Sequence, residues 1–83
     1  MIYKVKYSVY YEATEDHDDG YASLRIVLNR WFFGKKGSIK DKVETSGRLF
    51  ARKESLKYEN AEPYLVEVKI LEVRNLFGKK IEV

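Results

Sequence analysis

Strict alternation in the N-terminal run IYKVKYSVYYEA is the feature that most constrains the fold of this chain. Side chains along a strand point to opposite faces with period two. Tyr3, Val5, Tyr7, Val9 and Tyr11 therefore share one face, and Ile2, Lys4, Lys6, Ser8, Tyr10 and Glu12 share the other. The first face is aromatic and β-branched, as a core strand requires. The second is cationic and ends in a tyrosine, a surface suited to an anionic partner. Such a strand asks for a covering layer on one side only and leaves the other side open.

The remaining chain supplies a second strong strand. In YLVEVKILEVR, residues 64–74, Tyr64, Val66, Val68 and Ile70 fall on one face, and Leu65, Glu67, Lys69, Leu71 and Val73 on the other. Apolar residues on both sides place it near the centre of a sheet. NLFGKKIEV reads as a hairpin turn at Phe77–Lys80 leading into a short last strand.

Residues 19–33, DGYASLRIVLNRWFF, read as a helix, because Tyr21, Leu24, Leu28 and Trp31 recur at helical spacing and Val27 joins their face. Asp18 or Asp19 would cap its start, and Gly34 followed by Lys35 and Lys36 would suit its end. A strand over 24–28 is the rival. Residues 37–62 have no clean period. Ser46-Gly47 suggests a turn between short strands at 40–45 and 48–53, with a broken helix over 49–58 as the alternative. Together these elements predict a single compact α+β domain spanning 1–83, with one main helix on a mostly antiparallel sheet of four to five strands. A small all-β barrel is the alternative.

Composition narrows the function classes. The 83 residues contain no cysteine, so disulfides, thiolate metal sites and thiol nucleophiles are all excluded. A small chain without staples is expected in the cytoplasm. No stretch of about 18 apolar residues is present, so a membrane partner is not expected. Abundant Lys and Glu and the absence of Gln lean towards a thermophilic source. The net charge of +3 is unevenly spread. Glu12, Glu15, Asp16, Asp18 and Asp19 lie together without Lys or Arg, which leaves the rest of the chain strongly basic.

No catalytic constellation stands out. His17 is the only histidine and lies in the acidic run, and no nucleophile elbow is present. Against a calcium loop with Gly20 as the turn glycine, the closing acidic position falls on Ile26, so the pattern fails. Glu67 and Lys69 have the spacing of the acid-x-lysine element of metal-dependent nucleases, with Asp41 as a further carboxylate. Such a triplet is common in any strand with a solvated side. Leu71–Leu76 resembles one strand signature of RNA-recognition motifs, but Glu72 stands where that signature has an aromatic, and the companion signature is missing. No family is assigned. Neither a cofactor nor a metal is expected.

Binding surfaces remain. FGKK occurs twice, at Phe33–Lys36 and Phe77–Lys80, and pairs an aromatic with two lysines each time. Bases stack on aromatic rings while Lys and Arg neutralise phosphates. The expectation is a non-enzymatic module binding nucleic acid, RNA or DNA, through Lys4, Lys6, Arg30, Lys35, Lys36, Arg48, Arg52, Lys79 and Lys80. Trp31, Phe32, Phe33 and Phe77 are candidate interface residues. Of the three consecutive aromatics, two are expected under the sheet and the third at an interface. The alternative is a protein–protein interaction domain, such as an inhibitor, adaptor or accessory subunit encoded by a virus or mobile element. A homodimer is also open.

Overall fold

The computed structural model describes residues 1–14 and 21–82. Strand β1, Ile2–Thr14, is followed by β2, Tyr21–Phe33, then by helix α1, Lys36–Tyr58, and by strands β3, Leu65–Asn75, and β4, Lys80–Ile81. The strands form one antiparallel sheet in the order β2-β1-β3-β4, so both strongly patterned strands are central. The helix packs on one side, and no element among the described residues covers the other. The molecule is elongated, with extents of 47 × 16 × 16 Å. Its long axis matches a 13-residue strand at about 3.3 Å per residue.

The face read as the core is the core. Tyr3, Val5, Tyr7, Val9, Tyr11 and Ala13 are all buried on β1, beneath Ile39, Val43 and Ala51 of α1. Val66, Val68 and Ile70 of β3 and Leu24, Ile26, Leu28 and Phe32 of β2 pack against them. The Tyr7 hydroxyl shares a 3.2 Å hydrogen bond with Ser46 Oγ, so this buried phenol keeps a polar partner.

Two expectations are corrected. Residues 19–33 are not a helix, because Tyr21–Phe33 form β2. Apolar residues there satisfy both periods. Leu24, Leu28 and Trp31 fit a helix, while Leu24, Ile26, Leu28 and Phe32 fit one face of a strand. β-branched and aromatic content, and a continuous 13-residue register with β1, decide for the strand. The capping roles of Asp18 and Asp19, and the acidic loop around His17, lie outside the described residues.

The hairpin at 40–53 is likewise absent, because α1 runs unbroken through it. Its buried stripe is Ile39, Val43, Gly47, Ala51 and Ser55, an i, i+4 row. The row is made largely of small residues, so it carries little hydrophobic signal. Close approach to the sheet explains them. A Cβ on Gly47 would stand 2.6 Å from Val68 Cγ2 and 3.2 Å from Val9 Cγ2. Gly47 is thus a contact point between the layers and not a turn.

Gly34 ends β2 instead of a helix. Its φ of 140° bends the chain towards α1, and its N–H donates to Met1 O at 2.9 Å, one step beyond the strand ladder. Lys35 and Lys36 therefore sit at the positive end of the helix dipole, opposite to the expected end. No side chain caps this terminus. Lys42 Nζ donates to Phe33 O across Gly34 and ties the helix back to β2.

At the other end, Asn60 takes a left-handed φ of 54° after the C-cap Glu59, and Ser55 Oγ donates to Ala61 O. Tyr64 N–H then donates to Glu12 O at 3.0 Å, which sets β3 against β1.

Candidate nucleic-acid interface

The side of the sheet away from α1 is built in rows, because residues paired across antiparallel strands share a face. One row runs Trp31, Lys4, Arg74, Lys80 from β2 through β1 and β3 to β4. The next runs Asn29, Lys6, Glu72. Farther along come Val27, Ser8, Lys69 and then Arg25, Tyr10, Glu67. The open face thus presents Lys4, Lys6, Arg25, Lys69, Arg74 and Lys80 against Glu12, Glu67 and Glu72.

Its two ends differ in kind. Near Trp31 the four cations Lys4, Lys6, Arg74 and Lys80 surround the carboxylate of Glu72, and Glu82 lines a cavity with Lys6 and Lys80. Glu72 Oε1 is shut off from solvent, with Arg74 NH2 2.6 Å and Lys80 Nζ 3.6 Å away. The close Arg74 contact is an ion pair without hydrogen-bond alignment. Arg74 NH1 also donates to Gly78 O at 2.5 Å, so the β3–β4 turn holds the guanidinium in place. Lys4 Nζ lies 5.5 Å from the Trp31 ring centroid, and Trp31 remains 46% exposed. Phe33, paired with Ile2, extends the aromatic surface and is 67% exposed.

At the far end the polar groups satisfy one another. Tyr10 Oη donates to Glu12 Oε1, and Tyr64 Oη donates to Glu12 Oε2 at 3.2 Å. Arg25 stacks over the Tyr10 ring at 4.9 Å. The hydrogen bond to Glu12 holds the Tyr10 hydroxyl above its ordinary pKa, because it favours the protonated phenol.

Of the residues expected from sequence, Lys4, Lys6, Lys80, Trp31 and Phe33 meet on this face. Arg30 does not. It is opposite Val5, on the helix side, in a groove of about 550 Å³ with Asp41, Lys42 and Lys53. Lys35 and Lys36 are exposed at the start of α1. Arg48 and Arg52 project from α1 into ion pairs, each at 2.8 Å, with Glu44 and Glu62. Lys79 lies in the β3–β4 turn, where its N–H donates to Asn75 Oδ1 at 3.0 Å. Phe77, in the same turn, is 91% exposed.

Only Phe32 of the three consecutive aromatics packs under the sheet, edge-to-face with Tyr7 at 5.8 Å. The expectation of two buried rings followed from reading a helix; a strand sends Trp31 and Phe33 together to the other side. The nuclease-like set does not assemble either, because Glu67 and Lys69 lie on the open face and Asp41 lies on the helix layer.

Arg74 is a cation that simple alternation hides. Strict period two from Tyr64 places it on the buried face. The register shifts, however, between Lys6 and Tyr7, whose partners are Glu72 and Ile70. Leu71 is the extra residue, a β-bulge that turns Val73 inward, where it is 3% exposed, and Arg74 outward. The expected placement of Val73 beside Glu67 is corrected accordingly.

Comparison with known proteins finds no matching family model, no similar curated protein and no similar solved structure. Among the described residues no helix is long and apolar enough to cross a membrane. No group of three or more His, Asp or Glu side chains among them is placed to hold a metal ion.

Proposed function

We propose that this protein is a non-enzymatic module that binds single-stranded nucleic acid on the open face of its sheet. The observation that carries the reading is the row Trp31, Lys4, Arg74, Lys80, backed by Lys6 and flanked by Phe33. Strands about 4.8 Å apart set these side chains at intervals a flexible strand can follow. Trp31 and Phe33 offer stacking surfaces that unpaired bases can use and bases inside a duplex cannot. Lys4, Lys6, Arg74 and Lys80 supply phosphate contacts around the partly buried carboxylate of Glu72, outnumbering it and Glu82 two to one. A four-stranded face is broader than the two-stranded ribbon that a major groove admits, which favours single strands over double.

The test is fluorescence anisotropy with labelled single-stranded RNA, single-stranded DNA and duplex DNA across a salt series. The expected result is micromolar or tighter single-strand binding whose affinity falls steeply with salt. Binding confined to low salt, or equal for duplex and single strands, would sink the reading.

A second reading has its own observation. Phe77 at 91% and Leu76 at 61% exposure form an apolar tip on the β3–β4 turn. That tip favours a protein-interaction domain acting as an inhibitor, adaptor or accessory subunit. Nucleic-acid binding that survives physiological salt and is lost on Arg74→Glu would count against it.

A further inference from the structure

The two edges of the sheet are finished differently. Beyond β3 the edge is interrupted, by the bulge at Leu71, by the short cover of β4 over Val73 and Arg74, and by Lys69, Lys79 and Lys80. Bulges, short edge strands and lysines are the devices by which proteins keep strand edges from pairing with one another. β2 has none of these three, and its only charged side chains are Arg25 and Arg30. Its 13 residues pair with β1 in one unbroken register, its other side has no neighbouring strand among the described residues, and it contains no proline, glycine or lysine.

Both faces also carry apolar side chains, beside Ser23, Arg25 and Asn29 on the open side and Arg30 on the other. Leu24, Ile26, Leu28 and Phe32 are only partly buried, and Val27, Trp31 and Phe33 are exposed on the other side.

We propose that β2 pairs antiparallel with β2 of a second copy of this chain, about a two-fold axis through Val27. An axis perpendicular to the sheet keeps both helices on one side. The sequence is self-complementary in this register. Ile26 meets Leu28, Leu24 meets the aliphatic stem of Arg30, Arg25 meets Asn29, and Ala22 meets Phe32. No charge faces its like. An axis through Arg25 or Arg30 would instead set each guanidinium against its own copy.

The half-covered row Leu24, Ile26, Leu28 gains cross-strand neighbours, and the backbone groups along the β2 edge gain partners. The two open faces then join into one surface on the side away from the helices. This pairing does not rest on the proposed ligand and is tested without nucleic acid.

The experiment is sedimentation equilibrium of the full chain with Val27→Lys, with Val27→Glu and with their equimolar mixture. Val27 is 51% exposed, so the monomer accepts either charge, and circular dichroism verifies the fold of each variant. The expected result is a dimeric parent, dimerisation weakened at least about tenfold in each variant, and recovery in the mixture, where unlike charges face across the axis. A parent that stays monomeric at about 100 µM overturns the proposal. So does either variant pairing as tightly as the parent, and so does a mixture that shows no recovery.

Discussion

Strand β1 carries two faces that obey different rules. Under α1, every β1 residue from Tyr3 to Ala13 in the alternating set is buried, at 0–3% exposure. On the open side, Lys4, Lys6, Tyr10 and Glu12 hold charges and a phenol in partial contact with water. One face is fixed by packing, where a methyl group matters. The other is fixed by charge and stacking, and its exposed residues contribute little to stability, the partly buried pair of Arg74 and Glu72 excepted. Substitutions should therefore sort by face, stability changing on one side and binding on the other.

The largest effect is expected beneath the helix. Gly47→Val places a branched side chain into the Val68 and Val9 methyls, and should destabilise the fold by about 3 kcal/mol in urea titrations. A variant of parental stability would mean that the layers can separate at little cost.

Next comes the cationic row. Lys4→Glu with Arg74→Glu should weaken single-strand binding roughly a hundredfold. Because Arg74 is the partner of the solvent-excluded Glu72 oxygen, the melting temperature should fall as well, with circular dichroism verifying that the variant is folded at the temperature of the binding assay. Lys35→Glu with Lys36→Glu makes the same charge change at the start of α1 and should weaken binding less. Equal losses would move the ligand away from the open face.

Trp31→Ala should cost about 1–3 kcal/mol of binding through lost base stacking, with a shallower effect on the salt slope. If anisotropy finds the affinity untouched, the ring is not a stacking platform.

The smallest effect concerns Tyr11. Burial first, then the carboxylates of Glu59 and Glu54, raises its pKa above the ordinary 10.0. The folded state thus holds the proton more tightly than the unfolded chain. The resulting stability is present in full below pH 10.0 and is lost as pH rises through the folded value. Melts compared at about pH 9 and about pH 11 should show a smaller alkaline loss for Tyr11→Phe than for the parent. Equal losses would remove Tyr11 as the cause.

β1 and β3 are legible in the sequence because each alternates over many residues, and sustained alternation matches no helical period. β2 is legible only as the rival strand over 24–28, since Leu24 and Leu28 serve both periods and its full length is decided by pairing with β1. α1 is obscured by its own fit. Gly47, Ala51 and Ser55 are small because the sheet is near, and small residues leave no hydrophobic stripe to read. The open-face site is legible in Lys4 and Lys6, whose orientation follows from β1 alone. Trp31, Phe33 and Lys80 stand out by residue type, but their meeting with Lys4 depends on strand order, which no local pattern encodes. Arg30, Arg48 and Arg52 stand out by charge, which carries no information about layer, and they belong to the helix side.

Leu71 gives the C-terminal half of β3 something like a reading frame. Every residue from Glu72 to Asn75 takes its face from the presence of this one unpaired position. Were Leu71 paired with β1 instead of bulged, Val73 would be exposed to water and Glu72 and Arg74 would turn towards the core, although no amino acid had changed. A related chain one residue shorter here would lose the bulge and keep these faces, so its apolar and charged residues should follow in the same order up to the turn, with the gap at position 71. An alignment that spreads the gap elsewhere would pair the buried valine of one chain with the exposed arginine of another.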